Sequence, residues 1–544
     1  MVDPLEDVQI ELGLDDADDA EALARAVSAR LQRSPADLPQ LEIKKRSLDA
    51  RRGRVRFLVT VGAVQHDREI GGAAPREVRG PARVVIVGDG PAGLFCAYEL
   101  ARRGVASIVV DRGKPVQPRR KDLKGLNVRG QVDPNSNYCF GEGGAGTYSD
   151  GKLYTRSHKR GNVRDVLEVL AAHGAPAAVL TEARPHIGSN RLPEVVTALR
   201  TRLEGVGVEF RFGARVTELL RSPDGRSVVG VQLADGTSLS AVVVVIATGH
   251  SARDVFALLR RAGQRLEAKP FALGVRVEHP QPLINRIQYG QAAGHPKLPA
   301  ASYRLAQTQA GRGVFSFCMC PGGFIVPAAT ETDGLVVNGM SLSRRDSPYA
   351  NSGIVASIEL EDLAGLGQFD ALAGVALQRS VEAAAFAAGG GALRAPATRV
   401  SDFLEKRGSS SVPASSYRPG LSAGNIAEVL DVSGLPLAER LRDALRFFDR
   451  RMRGFVTEEA VLVATESRTS APVRVPRDGE SLQSLELAGL YPAGEGAGYA
   501  GGIVSAAVDG IRVAQGIAAS YPELADSTNR VISAGAPSRI GGPQ

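Results

Sequence analysis

The chain has 544 residues, of which 66 are basic and 59 acidic, for a net charge of +7, with 62 glycines, four cysteines and no tryptophan. That length allows roughly three or four domains of about 150 residues each. A charge excess this small suits an anionic ligand or surface without demanding nucleic acid, and four cysteines make no disulfide framework in a chain of this size. The longest apolar run, 241–247, is far too short to span a bilayer, and residues 1–20 are acidic with no apolar signal region, so the expectation is a soluble cytoplasmic protein with no membrane partner.

Residues 1–74 are expected to form a small α+β module. Asp15 and Asp16 can cap a helix whose apolar face is Leu23, Val27 and Leu31, and strands follow at 41–43 and 55–61. The stretch between them carries Lys44, Lys45, Arg46, Arg51, Arg52, Arg54 and Arg56. Such a run is most simply a solvated face. It lacks the interleaved aromatics of a single-strand binder, which weighs against nucleic acid. Gly71-Gly72-Ala73-Ala74-Pro75 reads as a linker.

Val84, Val85, Ile86 and Val87 read as a buried strand, and Gly88-Asp89-Gly90-Pro91-Ala92-Gly93 after them fits G-x-G-x-x-G. A helical pattern over 94–103 leads to a second strand at 107–110 that ends in Asp111. Strand, glycine turn, helix and acid in this order bind the diphosphate of a dinucleotide. Gly88 permits the turn, Gly90 lets the backbone approach the pyrophosphate, Gly93 lets the helix pack close, and Asp111 stands where a ribose-hydroxyl acceptor belongs. A glycine-rich loop follows at 137–152, then a helix at 191–204, strands at 208–212 and 216–220, and a hairpin of 228–233 with 238–245 about Asp235-Gly236.

From about residue 265 the pattern changes, with strands at 272–277 and 313–318 and helices near 371–388 and 436–453, the latter aligning Leu437, Leu441, Leu445, Phe448 and Met452. Near Leu490 the chain returns to strand, glycine turn and helix, 503–518. One nucleotide domain interrupted by an insert explains the order. The expected division is an N-terminal module at 1–74, the nucleotide domain at 81–264 and again at 465–522, an inserted substrate domain at 265–464, and a disordered tail at 523–544.

Three segments bear on which dinucleotide is bound. The strand 242–249, ending in Ala247-Thr248-Gly249, is similar to one that passes beside FAD in flavoproteins of the glutathione-reductase type. Residues 490–498 with Gly501-Gly502-Ile503 resemble the second FAD fingerprint of that group, with Glu495 where Asp is more usual. Phe140-Gly141-Glu142-Gly143-Gly144-Ala145-Gly146-Thr147 can lay a nest of N–H groups along the cofactor. Only the G-x-G-x-x-G at 88–93 sits in a strand–turn–helix–strand–acid unit, so NAD(P)H, a candidate electron donor, would bind without a Rossmann unit of its own, or reduction comes from the substrate or another protein.

Together FGEGGAGTYSDGKL (140–153), HIGSNRL (186–192), CMCPGG (318–323), NGMS (338–341), TESRTSAPVR (465–474) and YPAGEGAGYAGGI (491–503) resemble the bacterial FAD-dependent oxidoreductases called "NAD(FAD)-utilizing dehydrogenases", over about residues 5–518. The resemblance implies an α/β fold: a three-layer, Rossmann-like FAD-binding domain with an inserted α+β substrate domain and a small N-terminal α+β domain. It implies FAD, held by Gly88, Gly90, Pro91, Ala92 and Gly93 at the pyrophosphate, by Asp111 and Arg112 at the adenosine ribose, and by the Val216 backbone at the adenine. Gly143, Gly144, Gly146, Thr147, Ala247, Gly249, Gly494, Glu495, Gly502 and Ile503 would flank the ribityl chain and flavin. A hydride would pass between a small organic substrate and flavin N5. The alternatives are a flavin monooxygenase or oxidase, and a flavoprotein whose N-terminal module docks RNA or a protein.

Arg468 is the candidate catalytic residue, as a binder of an anionic substrate or a stabiliser of reduced flavin at N1. Cys318 and Cys320 are read as pocket lining, because a Cys-x-Cys disulfide is strained. Cys139 is read the same way, and His186 and His250 as structural. No His, Cys or Asp grouping has metal-ligand spacing, and oligomeric state is left open.

Overall fold

The run Val84–Val87 has no polar side to turn toward water, and the chain places it at the centre of a five-stranded parallel sheet. The order across the sheet is Leu490–Pro492, Val243–Ile246, Val84–Val87, Ser107–Val110 and Glu209–Arg211, each pair parallel. The computed structural model describes residues 6–64, 73–155, 160–309 and 311–525, so the tail from 526 and Gly71-Gly72 of the expected linker lie outside the described residues. On one face of the sheet, helices Pro91–Arg102 and Ile503–Ser520 pack together over Val84, Ile86, Val109, Val243 and Val245. They touch at Gly510, where an added Cβ would stand 2.0 Å from the Ala92 carbonyl oxygen. The other face, Val85, Val87, Val110, Val244 and Ile246, is covered by helix Arg253–Arg261 and a three-stranded antiparallel sheet, Val216–Arg221, Val228–Leu233 and Ser238–Ser240. This gives three layers.

The expected hairpin arm 238–245 is in fact two strands. The antiparallel sheet ends at Ser240, and the chain enters the parallel sheet at Val243. Unbroken apolar sequence across Ala241 and Val242 hides the change of partner.

The chain from Glu267 to Glu466 builds a seven-stranded sheet in the order Ala306–Gln309, Arg312–Cys320, Tyr349–Ile358, Phe271–Pro280, Val461–Glu466, Ala395–Arg399, Leu421–Ala423. Its strands alternate. Leu273, Val275 and Val277 join Ile354, Ala356 and the Leu437, Leu441, Leu445 and Phe448 stripe of helix Leu437–Arg451 in the largest core. Arg276 and Glu278, on the opposite face, should meet water, but they are 0% and 1% exposed. The polar face of this sheet is therefore covered.

The N-terminal module is an antiparallel sheet, Val8–Leu12, Arg56–Ala63 and Leu41–Asp49, with helix Ala20–Leu31 against it and Val27 fully buried. The helix cap is Asp19, whose Oδ1 accepts the Glu21 N–H at 2.8 Å, and not Asp15 or Asp16. The basic stretch is not a loop. Lys44, Lys45 and Arg46 continue the strand from Leu41 to Asp49, Arg51–Gly53 form a 3-10 turn, and Arg56 opens the next strand, with long stems along the sheet and heads reaching acids. Arg46 pairs with Asp18 at 3.0 Å, Arg51 with Asp49 at 2.8 Å and Arg56 with Glu11 at 2.6 Å. The module is docked: Arg46 donates its N–H to Thr181 O and accepts that of Ala183, both at 2.8 Å, while Asp18 pairs with Lys297. No helix among the described residues is long and apolar enough to cross a membrane.

Candidate functional site

The turn Gly88–Gly93 closes the first strand onto its helix. Gly88 has φ 105°, which an L side chain rarely adopts, and a Cβ there would lie 2.5 Å from Ala247 O. Gly90 caps the helix with extended backbone, Pro91 takes its first turn, and a Cβ at Gly93 would strike Gly88 O at 1.9 Å. The helix N–H groups thus face a glycine turn with no side chain before them.

Gly88, Asp111, Arg112 and Val216, expected on separate grounds, line one cleft with Val87, Val110 and Phe140. Asp111 is anchored through three backbone N–H groups, from Asp89 at 3.0 Å, Gly113 at 2.7 Å and Gly141 at 3.0 Å. Arg112 lies 4.6 Å over the Phe140 ring and pairs with Asp254 at 2.5 Å. The cleft is mostly apolar and carries an acid and a base, a lining that suits an adenosine.

The glycine loop meets this turn. A Cβ at Gly144 would stand 3.0 Å from the Gly90 Cα, and one at Gly146 3.3 Å from Ile503. The Gly143 cradle is closed by Thr147, whose hydroxyl donates to Glu142 O at 2.7 Å. A residue the sequence did not single out holds the loop. The guanidinium of Arg119, 0% exposed, donates to four carbonyls: Asn137 at 2.9 Å, Tyr138 at 3.1 Å, Glu142 at 2.7 Å and Gly144 at 2.8 Å.

The returning chain supplies the far end. Gly494 packs on Ala92 and donates its N–H to Asp509, which pairs with Arg477 at 2.5 Å. Gly496 lies against Gly249 O, and Gly502, at φ 148°, precedes helix Ile503–Ser520. A Cβ built at Gly249, Gly501 or Gly502 would meet no atom within 4 Å. Bare backbone therefore stands at Gly90, near the cleft, and at Gly249, Gly501 and Gly502 on the far side. A cleft at one end and side-chain-free backbone at the other fit an FAD.

Two ionic groups lie where the inserted chain meets these segments. Glu382, 1% exposed, joins Arg253 at 2.8 Å to Arg468 at 2.8 Å, and Arg468 also donates to Thr330 at 2.7 Å. Burial opposes ionisation of Glu382, but the two guanidiniums hold its carboxyl down at about 2. His250 stands 3.6 Å from Glu495; burial and the cations Arg468, Arg253 and Lys269 push its imidazole down to about 4, so it is neutral at pH 7. Burial raises the Glu495 carboxyl.

The second group is the covered polar face of the inserted sheet. Arg276 binds Glu466 at 2.6 Å, Asn351 at 2.8 Å, Asn338 at 3.2 Å and the Cys318 carbonyl at 2.7 Å. Lys152, the last residue of the glycine loop, lies 3.4 Å from the Cys320 sulfur and 3.2 Å from Asp150. Cys320 is buried and Cys318 exposed. His186 contacts Ser343 O at 3.2 Å. Lys152, Glu382 and Glu466 were not singled out from sequence. The alternation around Arg276 was the available signal for a polar face, but nothing local says that the face is covered.

Residues 81–125 match the model of an FAD binding domain, and 270–469 match one described as "FAD-dependent protein, C-terminal domain-like". Residues 5–64 match a domain of unknown function, DUF8436. An uncharacterised protein of Clostridium beijerinckii is 41% identical over 535 residues, 93% of this chain and 97% of that one. The two chains belong to one family. This flavoprotein's cofactor is FAD. Among solved structures it is similar to CtdE in complex with FAD, at 12% identity and TM-score 0.30 over 82% of this chain and 92% of that one. The flavin-dependent brominase Bmp2 is similar at 13% identity and TM-score 0.34, over 84% and 81%. The GidA-related protein from Thermus thermophilus is similar at 17% identity and TM-score 0.21, over 36% and 73%.

Proposed function

We propose that the flavoprotein is an FAD-dependent oxidoreductase, a dehydrogenase or reductase, that moves a hydride between carbon of a small organic substrate and flavin N5. The observation that carries this reading is the covered polar face. Arg276, Glu278, Asn351 and Glu466 are 0–2% exposed on a sheet face where Gly339, in the hairpin of Gly323–Pro327 and Val337–Ser341, lies against Arg276 and Asn351, and Lys152 reaches the edge of this cluster from the FAD-binding half at Cys320. Desolvated ionic groups cost several kcal/mol unless paired, and such clusters gather where a protein orders a reacting molecule.

Bound FAD supplies the two-electron chemistry; the protein supplies position and charge. The glycine turn and Arg119-held loop fix the diphosphate end. Arg468 is a pinned cation: Glu382 and Thr330 take three of its five N–H directions, which holds its charge in place to favour an anionic substrate or reduced flavin. Thr147, Glu495 and Gly502 flank the ribityl and flavin in this assignment. NAD(P)H is the proposed donor.

Anaerobic mixing of the yellow holoprotein with NADH or NADPH tests the reading. Bleaching of the flavin, followed by recovery on adding an organic acceptor without oxygen, is the expected result. Turnover that requires oxygen and places an oxygen atom in the product would assign a monooxygenase instead.

A further inference from the structure

Lys152 is the open member of an otherwise closed ionic group. Its ammonium reaches Asp150 at 3.2 Å, but Asp150 is shared, since Arg345 lies 2.8 Å from the same oxygen and the Ser341 hydroxyl occupies the other. Two cations therefore face one carboxylate. The other acids nearby are taken: Glu466 is held by Arg276 at 2.6 Å, and Glu278 accepts the N–H and hydroxyl of Ser416. His186 adds no charge, because burial and Arg345 push its imidazole down.

Accessibility then separates the cations. The Lys152 side chain is 35% exposed, Arg345, its competitor for Asp150, 17%, Arg468 7% and Arg276 0%. Cys318, which interacts with Lys152, is also exposed, at a bulge where the strand loses its partner between Phe317 and Cys320. The contact of Lys152 with Cys320 joins the end of the glycine loop to the inserted sheet, so this open charge lies on the seam between the two halves. Burial opposes the charge, but the neighbours, Asp150 among them, hold the ammonium above the ordinary lysine value.

We infer that Lys152 is the substrate-recognition cation of this flavoprotein and that its substrate is a small carboxylic acid, whose carboxylate enters beside Cys318 and takes the unshared positive charge. The inference rests on the oxidoreductase reading and extends it to a substrate class. A carboxylate and an ammonium form a short, charge-assisted hydrogen bond, and at an enclosed seam its loss is felt strongly.

The test is a difference titration of the flavin absorbance in oxidised holoprotein with oxalate, pyruvate, succinate and benzoate. At least one should give a saturable change. Lys152→Met should weaken that ligand about tenfold or more, and Lys152→Arg, which keeps the charge, by about threefold or less. Each variant is compared at equal FAD content, so loss of cofactor is not mistaken for loss of ligand. No change with any of the four acids in fully loaded wild-type protein overturns the inference, as does Lys152→Met binding as wild type. A Lys152-dependent titration in a protein that no donor reduces would keep the carboxylate site and sink the oxidoreductase reading instead.

Discussion

The Asp111 carboxylate accepts the Asp89 backbone N–H at 3.0 Å, while the Asp89 carboxyl group, 0% exposed, has no hydrogen-bond partner at either oxygen among the described residues. Burial, and then the carboxylates of Asp111 and Glu142, push the Asp89 carboxyl well above its usual value; Gly143 N–H and Arg200 oppose this and lose. Burial and these acidic neighbours thus disfavour the charged form of Asp89 in the turn.

The consequence is a pH dependence of definite sign. Between the ordinary value of 3.8 and the raised one, the folded protein keeps a proton that the unfolded chain has lost, so stability from this group falls as pH rises through that window, by about 1.4 kcal/mol per pH unit. Asp89→Asn removes the ionisation and keeps the shape. Its thermal midpoint and FAD retention should therefore gain on wild type as pH increases. Parallel pH profiles for the two proteins would contradict a raised Asp89 carboxyl.

Gly90 and Gly93 separate cofactor space from packing space. The nearest atom to a Cβ at Gly90 is 3.9 Å away, whereas one at Gly93 would meet Gly88 O at 1.9 Å. Gly90→Val should leave the apoprotein within about 1 kcal/mol of wild type, as for a side chain entering open space, yet abolish FAD retention. Gly93→Ala should destabilise the apoprotein by about 1–3 kcal/mol or more, because a backbone carbonyl must move. Denaturant unfolding of both apoproteins, with FAD release measured by fluorescence, distinguishes the two.

What was legible in the sequence was local or repeated. The first strand, turn and helix announce themselves by four β-branched residues and three glycines, and the return at Leu490–Ile503 by its own glycines. Side chains that act at long range were not legible. Arg119 sits in Val116–Arg129, a helix so rich in Lys and Arg that it reads as solvated, and only the fold decides that Arg119 is buried while Arg120 is exposed. Glu382 lies in an alanine-rich helix with no local sign that two arginines, one more than 100 residues earlier and one about 90 later, will close on it. The period-two pattern around Arg276 marks a polar face but not what covers it.

Glu382 should be a stability residue with a measurable acid limb. Its folded value of about 2 lies below the ordinary 4.5, so its contribution is fully present above 4.5 and is lost as pH falls from there toward 2. Glu382→Gln leaves Arg253 and Arg468 buried with one fewer charge partner, at a cost of about 3–5 kcal/mol. The variant should unfold at lower denaturant than wild type at pH 7, with the gap narrowing as pH falls below 4.5. A constant gap across that range would show that the carboxylate charge is not what matters.

Arg119 gives the sharpest test of how the glycine loop is held. Its planar fork serves four carbonyls at 2.7–3.1 Å, and the ring of Tyr148 lies 5.1 Å from its charge centre. A lysine ammonium has three donors on a single atom and cannot span the same carbonyls, so the usual conservative exchange should fail here. Arg119→Lys and Arg119→Met should both weaken FAD binding by about tenfold or more, since each buried carbonyl left unpaired costs about 1–3 kcal/mol. Arg120→Met, at the exposed neighbour, should retain FAD at wild-type affinity. FAD dissociation constants from fluorescence quenching decide the matter: an Arg119→Lys protein that binds FAD as tightly as wild type would mean that the loop is held by its glycines and Asp111 alone.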